Sequence, residues 1–235
     1  MGQEIDRVRG LFFDVFGTCV DWRSGVIREG EALGLDGVDW PALADAWRGA
    51  YQPQLETVRS GARAWTLLDE LHREALDALL GDFGLDALGD AERAALTRAW
   101  HRLDPWPDVV EGLQRLKRRF VVAPCSNGHI ALLLNMAKRA ALPWDVILGA
   151  ELARAYKPDP EAYLRSAAAA GLEPGEVLMV AAHAGDLVAA ARCGLRTAFV
   201  PRPAEHGPDG VADRPPERVD VIAEDFLALA RVLGA

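Results

Sequence analysis

The chain has 235 residues, 50% hydrophobic and 26% charged, enough to bury a sizeable core and to form one α/β domain with an insertion or two small domains. Its net charge of -9 argues against nucleic acid or an anionic membrane as a partner, because both require a basic face. Three widely spaced cysteines, Cys19, Cys125 and Cys193, suggest neither a disulfide framework nor a metal-binding pair and read as free thiols of a cytoplasmic protein. No apolar run approaches the roughly 18 to 20 residues of a membrane span, and Asp6 and Arg7 precede a first hydrophobic stretch that runs straight into a candidate strand, so secretion is not expected.

In chain order, Leu11-Phe12-Phe13 reads as a buried strand that ends at Asp14, with Gly17 and Thr18 marking a tight loop. From about Trp22 to Leu103 the β-branched runs disappear. Amphipathic helical patterns follow one another at Ala42 to Val58, where Pro53 predicts an interruption, then Thr66 to Leu80 and Ala91 to Arg102. This all-helical insertion follows the first strand directly, so its junctions, expected at Ser24-Gly25 and Pro105-Trp106-Pro107, place it over Asp14 as a lid.

Beyond it, apolar runs at Phe120-Val121-Val122-Ala123, Val146-Ile147-Leu148, Val177 to Val180 and Thr197 to Val200 alternate with helical patterns. The helices are expected at Val109 to Arg118, Ile130 to Ala141, Glu161 to Ala170 and Asp186 to Cys193. Strands this continuously apolar are buried on both faces, and their alternation with helices predicts an α/β fold with a doubly wound parallel sheet. Function is then expected at the carboxyl ends of the strands. Pro201 to Pro216, rich in Pro, Gly and charge, reads as a surface loop before a last helix, Asp225 to Leu233.

Four segments carry the polar groups that this topology would gather. Asp14 ends the first strand, where loop N–H groups can surround a nucleophilic carboxylate; an ordinary strand-end turn would look the same. Cys125-Ser126-Asn127-Gly128 puts a hydroxyl and an amide before a helix, as an anion site or a plain N-cap. Tyr156-Lys157-Pro158-Asp159-Pro160 sets a lysine before a helix start, and Ala181-Ala182-His183-Ala184-Gly185-Asp186 returns a carboxylate after a strand.

Asp, then Ser-Asn, then Lys-Pro-Asp-Pro, then Asp, each at a strand end or helix start, resembles the haloacid dehalogenase superfamily over residues 9 to 20 and 105 to 235. The resemblance implies a Rossmann-like core of residues 1–20 and 105–235 carrying a small helical cap of residues 21–104. Most of that superfamily consists of magnesium-dependent phosphatases. Their general acid, two positions after the nucleophile, is replaced here by Phe16, which cannot transfer a proton. Their metal-ligating carboxylate, four positions before the last Asp, is replaced by Ala182, which cannot coordinate Mg²⁺. Both replacements resemble the L-2-haloacid dehalogenase branch, as does Ala46-Trp47-Arg48 in the cap.

That branch implies a hydrolase of carbon–halide bonds without a cofactor or metal, acting on a small anionic 2-haloalkanoic acid through an aspartyl ester. Asp14 is implied as nucleophile, Lys157 as the cation that keeps it ionised, Asp186 as the group that orients Lys157 and activates water, and Thr18 as the residue that holds Asp14. Ser126 would bind the substrate carboxylate, Arg48 and Asn127 the departing halide, and Tyr163 would join the network or serve as a core tyrosine. Phe16, Tyr51, Trp65 and Leu68 would wall the pocket or pack the cap.

The chain departs from the branch at Ala181 and His183, where better-known members have serine and asparagine, and at Gly185, where they have a bulkier residue. His183 could replace the missing amide and suit fluoride, or be a satisfied structural histidine. A drifted Mg²⁺-dependent sugar phosphatase and a non-catalytic binding domain are the alternative readings. Dimeric assembly is an implication of the resemblance alone.

Overall fold

A computed structural model describes residue 5, residues 7–208 and residues 210–235. Asp6, expected as a polar flank, residues 1–4 of the expected core and residue 209 of the expected surface loop lie outside the described residues.

Strand β1 (Gly10–Phe13) is the central strand of a six-stranded sheet, flanked by β4 (Val121–Ser126) on one side and β6 (Val177–Ala181) on the other. The sheet continues to β5 (Leu148–Gly149) beyond β4, and to β7 (Arg196–Phe199) and β8 (Val221–Ile222) beyond β6, all pairs being parallel. Because side chains alternate across a strand, β1 divides the core. Leu11 and Phe13 pack in one buried cluster with Val122, Leu178, Val180 and Ala198, and Phe12 packs in the other with Ala123, Met179, Ala181 and Phe199. Leu11, Phe12 and Phe13 are completely buried, worth roughly 1.5–3 kcal/mol each in removed apolar surface.

The chain leaves β1 for β4 on one side and reaches β6 on the other, so the carboxyl end of β1 is the point where the strand order reverses. Ligand crevices of doubly wound sheets open at such points. A further two-stranded antiparallel ribbon, β2 (Val20–Asp21) with β3 (Asp104–Pro105), ties together the two ends of the helical insertion.

The insertion contains α1 (Trp22–Glu31), α2 (Trp40–Arg59), α3 (Leu68–Leu79) and α4 (Asp90–Thr97), followed by a 3₁₀ turn, Arg98–His101. Asp21 and Asp39 cap α1 and α2, each side chain accepting a backbone N–H at 3.0 Å. The expected junction at Ser24-Gly25 is instead inside α1, a helix the pattern does not announce. Its glycines serve close packing: a Cβ on Gly25 would lie 2.6 Å from Leu103, and one on Gly30 2.2 Å from Trp40. Nor does Pro53 interrupt α2. It sits on the exposed face, while Trp40, Leu43, Ala44, Trp47, Tyr51 and Leu55 bury the other, and that packing outweighs one lost backbone hydrogen bond.

On the core, α5 (Val109–Leu116), α6 (Ile130–Ala140), the single turn α7 (Ala150–Ala153), α8 (Pro160–Ala169), α9 (Ala184–Arg192) and α10 (Phe226–Val232) follow the expected helical patterns, α7 excepted. The stretch from Pro201 is only partly a surface loop. Arg202 and Glu205 are buried, with Arg202 donating to the Thr18 carbonyl at 2.8 Å and gripping Asp108 with both terminal nitrogens at 2.7 and 2.9 Å. The three cysteines are unpaired, as expected. Among the described residues no helix is long and apolar enough to cross a membrane.

Candidate active site

The site grows from the end of β1. Asp14 N–H still donates to Val180 at 3.0 Å, fixing the residue to the sheet before the chain turns. The turn depends on Gly17, which has φ +86° and faces the Glu205 carboxylate so closely that a Cβ would lie 2.0 Å from Oε1. Thr18, Ser126, Lys157 and His183 come from four separate segments, Ser126 ending a strand and the others lying in the loops that follow a strand or precede a helix.

Three donors surround the Asp14 carboxylate. Lys157 Nζ donates to Oδ1 at 2.9 Å, while Thr18 Oγ1 and His183 Nδ1 meet Oδ2 at 2.7 and 2.9 Å. A carboxylate offers about four lone-pair sites, so one remains on Oδ1. Burial pushes this carboxyl up, but the Lys157 ammonium and the His183 imidazolium override it and hold Asp14 well below the usual carboxylate range. Lys157 is itself buried. Desolvation pushes its pKa down, yet Asp14 and Asp186 win and keep it protonated.

Asp186 receives Lys157 Nζ at 2.5 Å on one oxygen and the Tyr163 hydroxyl at 2.6 Å on the other. Burial and the neighbouring Asp14 charge push its carboxyl up against the pull of Lys157, making it a better base than an exposed aspartate. Asn127 accepts the Lys157 backbone N–H at 2.7 Å and donates to the Tyr51 hydroxyl at 2.9 Å. Ser126 Oγ accepts the Gly128 N–H at 3.1 Å.

Asp14, Phe16, Arg48, Tyr51, Asn127, Lys157, Tyr163, His183 and Asp186 line one cavity of about 390 Å³, the size class of small-ligand pockets. Arg48 reaches it from α2, its guanidinium 4.5 Å above the Tyr51 ring and 5.4 Å from that of Trp22. One of its buried terminal nitrogens has no hydrogen-bond partner among the described residues. Thr18 and Ser126 stand behind the cavity wall, and Trp65 and Leu68 pack elsewhere, Trp65 against Tyr156 with ring centres 4.7 Å apart. Ala182 is buried, and its N–H donates to Thr18 Oγ1 at 2.9 Å.

The residue that sequence reasoning missed is Glu205. It is 4% exposed, accepts Trp22 Nε1 at 3.1 Å and holds His183 Nε2 at 3.0 Å from both its oxygens. His183 is therefore gripped between two carboxylates. Burial lowers its pKa, but the hydrogen bonds and charges of Asp14 and Glu205 raise it to about 10. Glu205 in turn is held down by His183 against its burial. The available signal was positional, since Glu205 follows β7 at the sheet's carboxyl edge.

A parallel sheet that delivers a strand-terminal aspartate, a lysine and a second aspartate to one crevice beneath an inserted helical cap defines a hydrolase of the haloacid dehalogenase type. The chain belongs to the haloacid dehalogenase-like hydrolase family, whose family model matches residues 8–194. It is 33% identical over 208 residues to (S)-2-haloacid dehalogenase 4A of Burkholderia cepacia, covering 84% of this chain and 85% of that one. The crystal structure of a defluorinating L-2-haloacid dehalogenase superposes with a TM-score of 0.94 at 49% identity, covering 97% of this chain and 96% of that one. Another L-2-haloacid dehalogenase gives 0.93 at 47% identity, covering 97% and 99%.

Proposed function

We propose that this chain hydrolyses small 2-haloalkanoic acids, such as haloacetates and 2-halopropionate, to 2-hydroxy acids through an ester on Asp14. The observation that carries this reading is an Asp14 carboxylate held by three donors, with a lone pair left over, facing the cavity into which Arg48 brings a terminal nitrogen that has no hydrogen-bond partner among the described residues. A nucleophile and a receptor for a departing anion are the two things that substitution at a carbon–halogen bond requires.

In the first step Asp14 Oδ1 attacks the carbon bearing the halogen, its lone pair forms the C–O bond, and halide leaves with the C–X electrons toward Arg48. In the second, water attacks the aspartyl ester carbonyl, the 2-hydroxy acid departs and the carboxylate is regenerated. Asp186, with its raised pKa, takes one water proton and later releases it to solvent; the proton left on the tetrahedral intermediate passes to the departing alkoxide, while Lys157 holds both carboxylates in place. Thr18 and His183 fix the plane of Asp14. The Asn127 amide is engaged by Tyr51 and the Lys157 backbone, so Arg48 is the principal halide donor in this reading and Asn127 positions Tyr51 and Lys157.

Phe16 and Tyr51, which line the cavity, are proposed to exclude water; Ser126 does not line it, and its proposed part is to hold the Gly128 N–H and with it the loop that meets the substrate carboxylate. Phe16 and the buried methyl of Ala182 leave no acid or oxygen ligand at the positions phosphoryl transfer uses. Residues 21–104 act as the cap and residues 1–20 with 105–235 as the core, joined at the β2–β3 ribbon. A cytoplasmic location accompanies this reading, and dimeric assembly is an expectation from the family alone. The test is halide release from chloro-, bromo- and fluoroacetate in the presence of EDTA. Turnover is expected for at least one of them and none from Asp14→Asn; phosphate release dependent on Mg²⁺ in its place overturns the proposal.

A further inference from the structure

A second cleft lies between the helical insertion and the sheet domain and shares no lining residue with the Asp14 cavity. Three of its side chains converge from separate elements. Asp69 belongs to α3, His101 ends the 3₁₀ turn, and His129 precedes α6. The two histidines are each 6% exposed. His101 Nε2 lies 3.0 and 2.9 Å from the two Asp69 oxygens, and His129 Nε2 lies 3.6 Å from Oδ2.

One feature sets this cluster apart from an ordinary His–Asp pair: His129 Nε2 faces Asp69 Oδ2 from 3.6 Å, beyond hydrogen-bond distance of that carboxylate. The spacing also fits a metal: bonds of about 2.0–2.2 Å in a tetrahedron put neighbouring ligand atoms about 3.3 Å apart. The two shortest separations from Asp69 Oδ2 to the histidines, 2.9 and 3.6 Å, straddle that figure, and the three ligand atoms lie within 4.8 Å of one another.

The surroundings complete the argument. Asn135 meets His101 Nδ1 at 2.9 Å; with its amide turned over, the carbonyl oxygen accepts from Nδ1–H and frees Nε2 for coordination. Arg102 and Arg139, which line the cleft, are paired with Glu29 and Asp104, and the nearby Glu70 and Glu151 add negative charge around His129.

We propose that Asp69, His101 and His129 bind a divalent transition ion of the Zn²⁺ class through two imidazole nitrogens and one carboxylate, with a fourth position for water. Binding moves the His101 proton from Nε2 to Nδ1 and breaks the bond to Asp69. Two ligands come from the insertion and one from the sheet domain, so the ion crosslinks them. The site is independent of the haloacid chemistry proposed above.

Chelator-treated full-length protein titrated with Co²⁺ tests this. The expected result is a visible ligand-field spectrum of tetrahedral intensity that saturates at one equivalent and is displaced by Zn²⁺. A Zn²⁺ excess of about a hundredfold over Kd should raise Tm by about 5 °C or more. Asp69→Asn, His101→Gln and His129→Gln, each checked for wild-type circular dichroism, should abolish the spectrum. Glu205→Gln, which removes the carboxylate that His183 and His206 face, should preserve it. No spectrum from the wild type overturns the proposal whatever the variants do, and so does a spectrum that survives His101→Gln and His129→Gln or disappears in Glu205→Gln.

Discussion

Replacing Glu205 by Gln removes one of the two charges that hold His183 protonated while keeping the shape of the side chain and an oxygen acceptor for Nε2. At 3.0 Å and an effective dielectric constant of about 20, one such charge pair is worth about 5 kcal/mol before desolvation is counted. The wild-type imidazole, pushed up to about 10, still has Asp14 at 2.9 Å in the variant, and burial continues to oppose its charge. Its pKa should therefore fall to about 6.5–7, a loss of about 4–5 kcal/mol in preference for the protonated form.

A group whose pKa is raised on folding stabilises the fold fully below its unfolded value of 6.5 and loses that contribution as pH climbs to about 10. The Tm gap between wild type and variant should thus be full just below pH 6.5 and narrow as pH rises toward 10. Turnover should diverge the other way, with the variant falling about tenfold between pH 6 and pH 8 while the wild type stays level. Ring-nitrogen NMR titration of His183 and pH–rate profiles of halide release measure both. An unchanged His183 titration, or parallel pH profiles, would refute the reasoning.

Arg48→Lys keeps the charge but loses the planar fork stacked on Tyr51; kcat for chloro- and bromoacetate should fall by about 10²–10³, read by halide release, with little change in Tm. Lys157→Met leaves Asp14 and Asp186 facing each other without the shared cation, so denaturant titration should register a loss of about 3–5 kcal/mol and halide release should vanish. Gly17→Ala forces a side chain onto a positive φ and into Glu205, and should lower stability by about 1–3 kcal/mol while shifting the His183 titration downward. Phe12→Ala should cost about 3–5 kcal/mol in the same denaturant assay because Phe12 fills the core face formed with Met179 and Phe199.

The strand-end motifs were legible because each depends on local chemistry: a polar residue directly after a buried strand, where backbone groups and other strand ends converge. That logic led to Asp14, Ser126, Lys157 and Asp186 and to the sheet that gathers them. Helix α1 was illegible because Gly25 and Gly30 count against a helix in isolation, and only the packing of Leu103 and Trp40 explains them. Pro53 misled for the same reason, a local penalty overridden by a buried face. Glu205 is separated from His183 by 22 residues and lies in a stretch whose composition signals solvent. Nothing local marks it as buried, and its role arises only when β6 and β7 pair in register and bring their following loops together.

The central claim is that Asp14 itself becomes covalently attached to the substrate. Single-turnover hydrolysis in ¹⁸O-enriched water, with enzyme in excess over haloacid, followed by mass spectrometry of the peptide containing Asp14, measures this directly. The account predicts that the label enters the Asp14 carboxylate and that the first-formed hydroxy acid carries ordinary oxygen at its new hydroxyl. Label in the product hydroxyl with none on Asp14 would mean that water attacks the haloacid directly, and would contradict it.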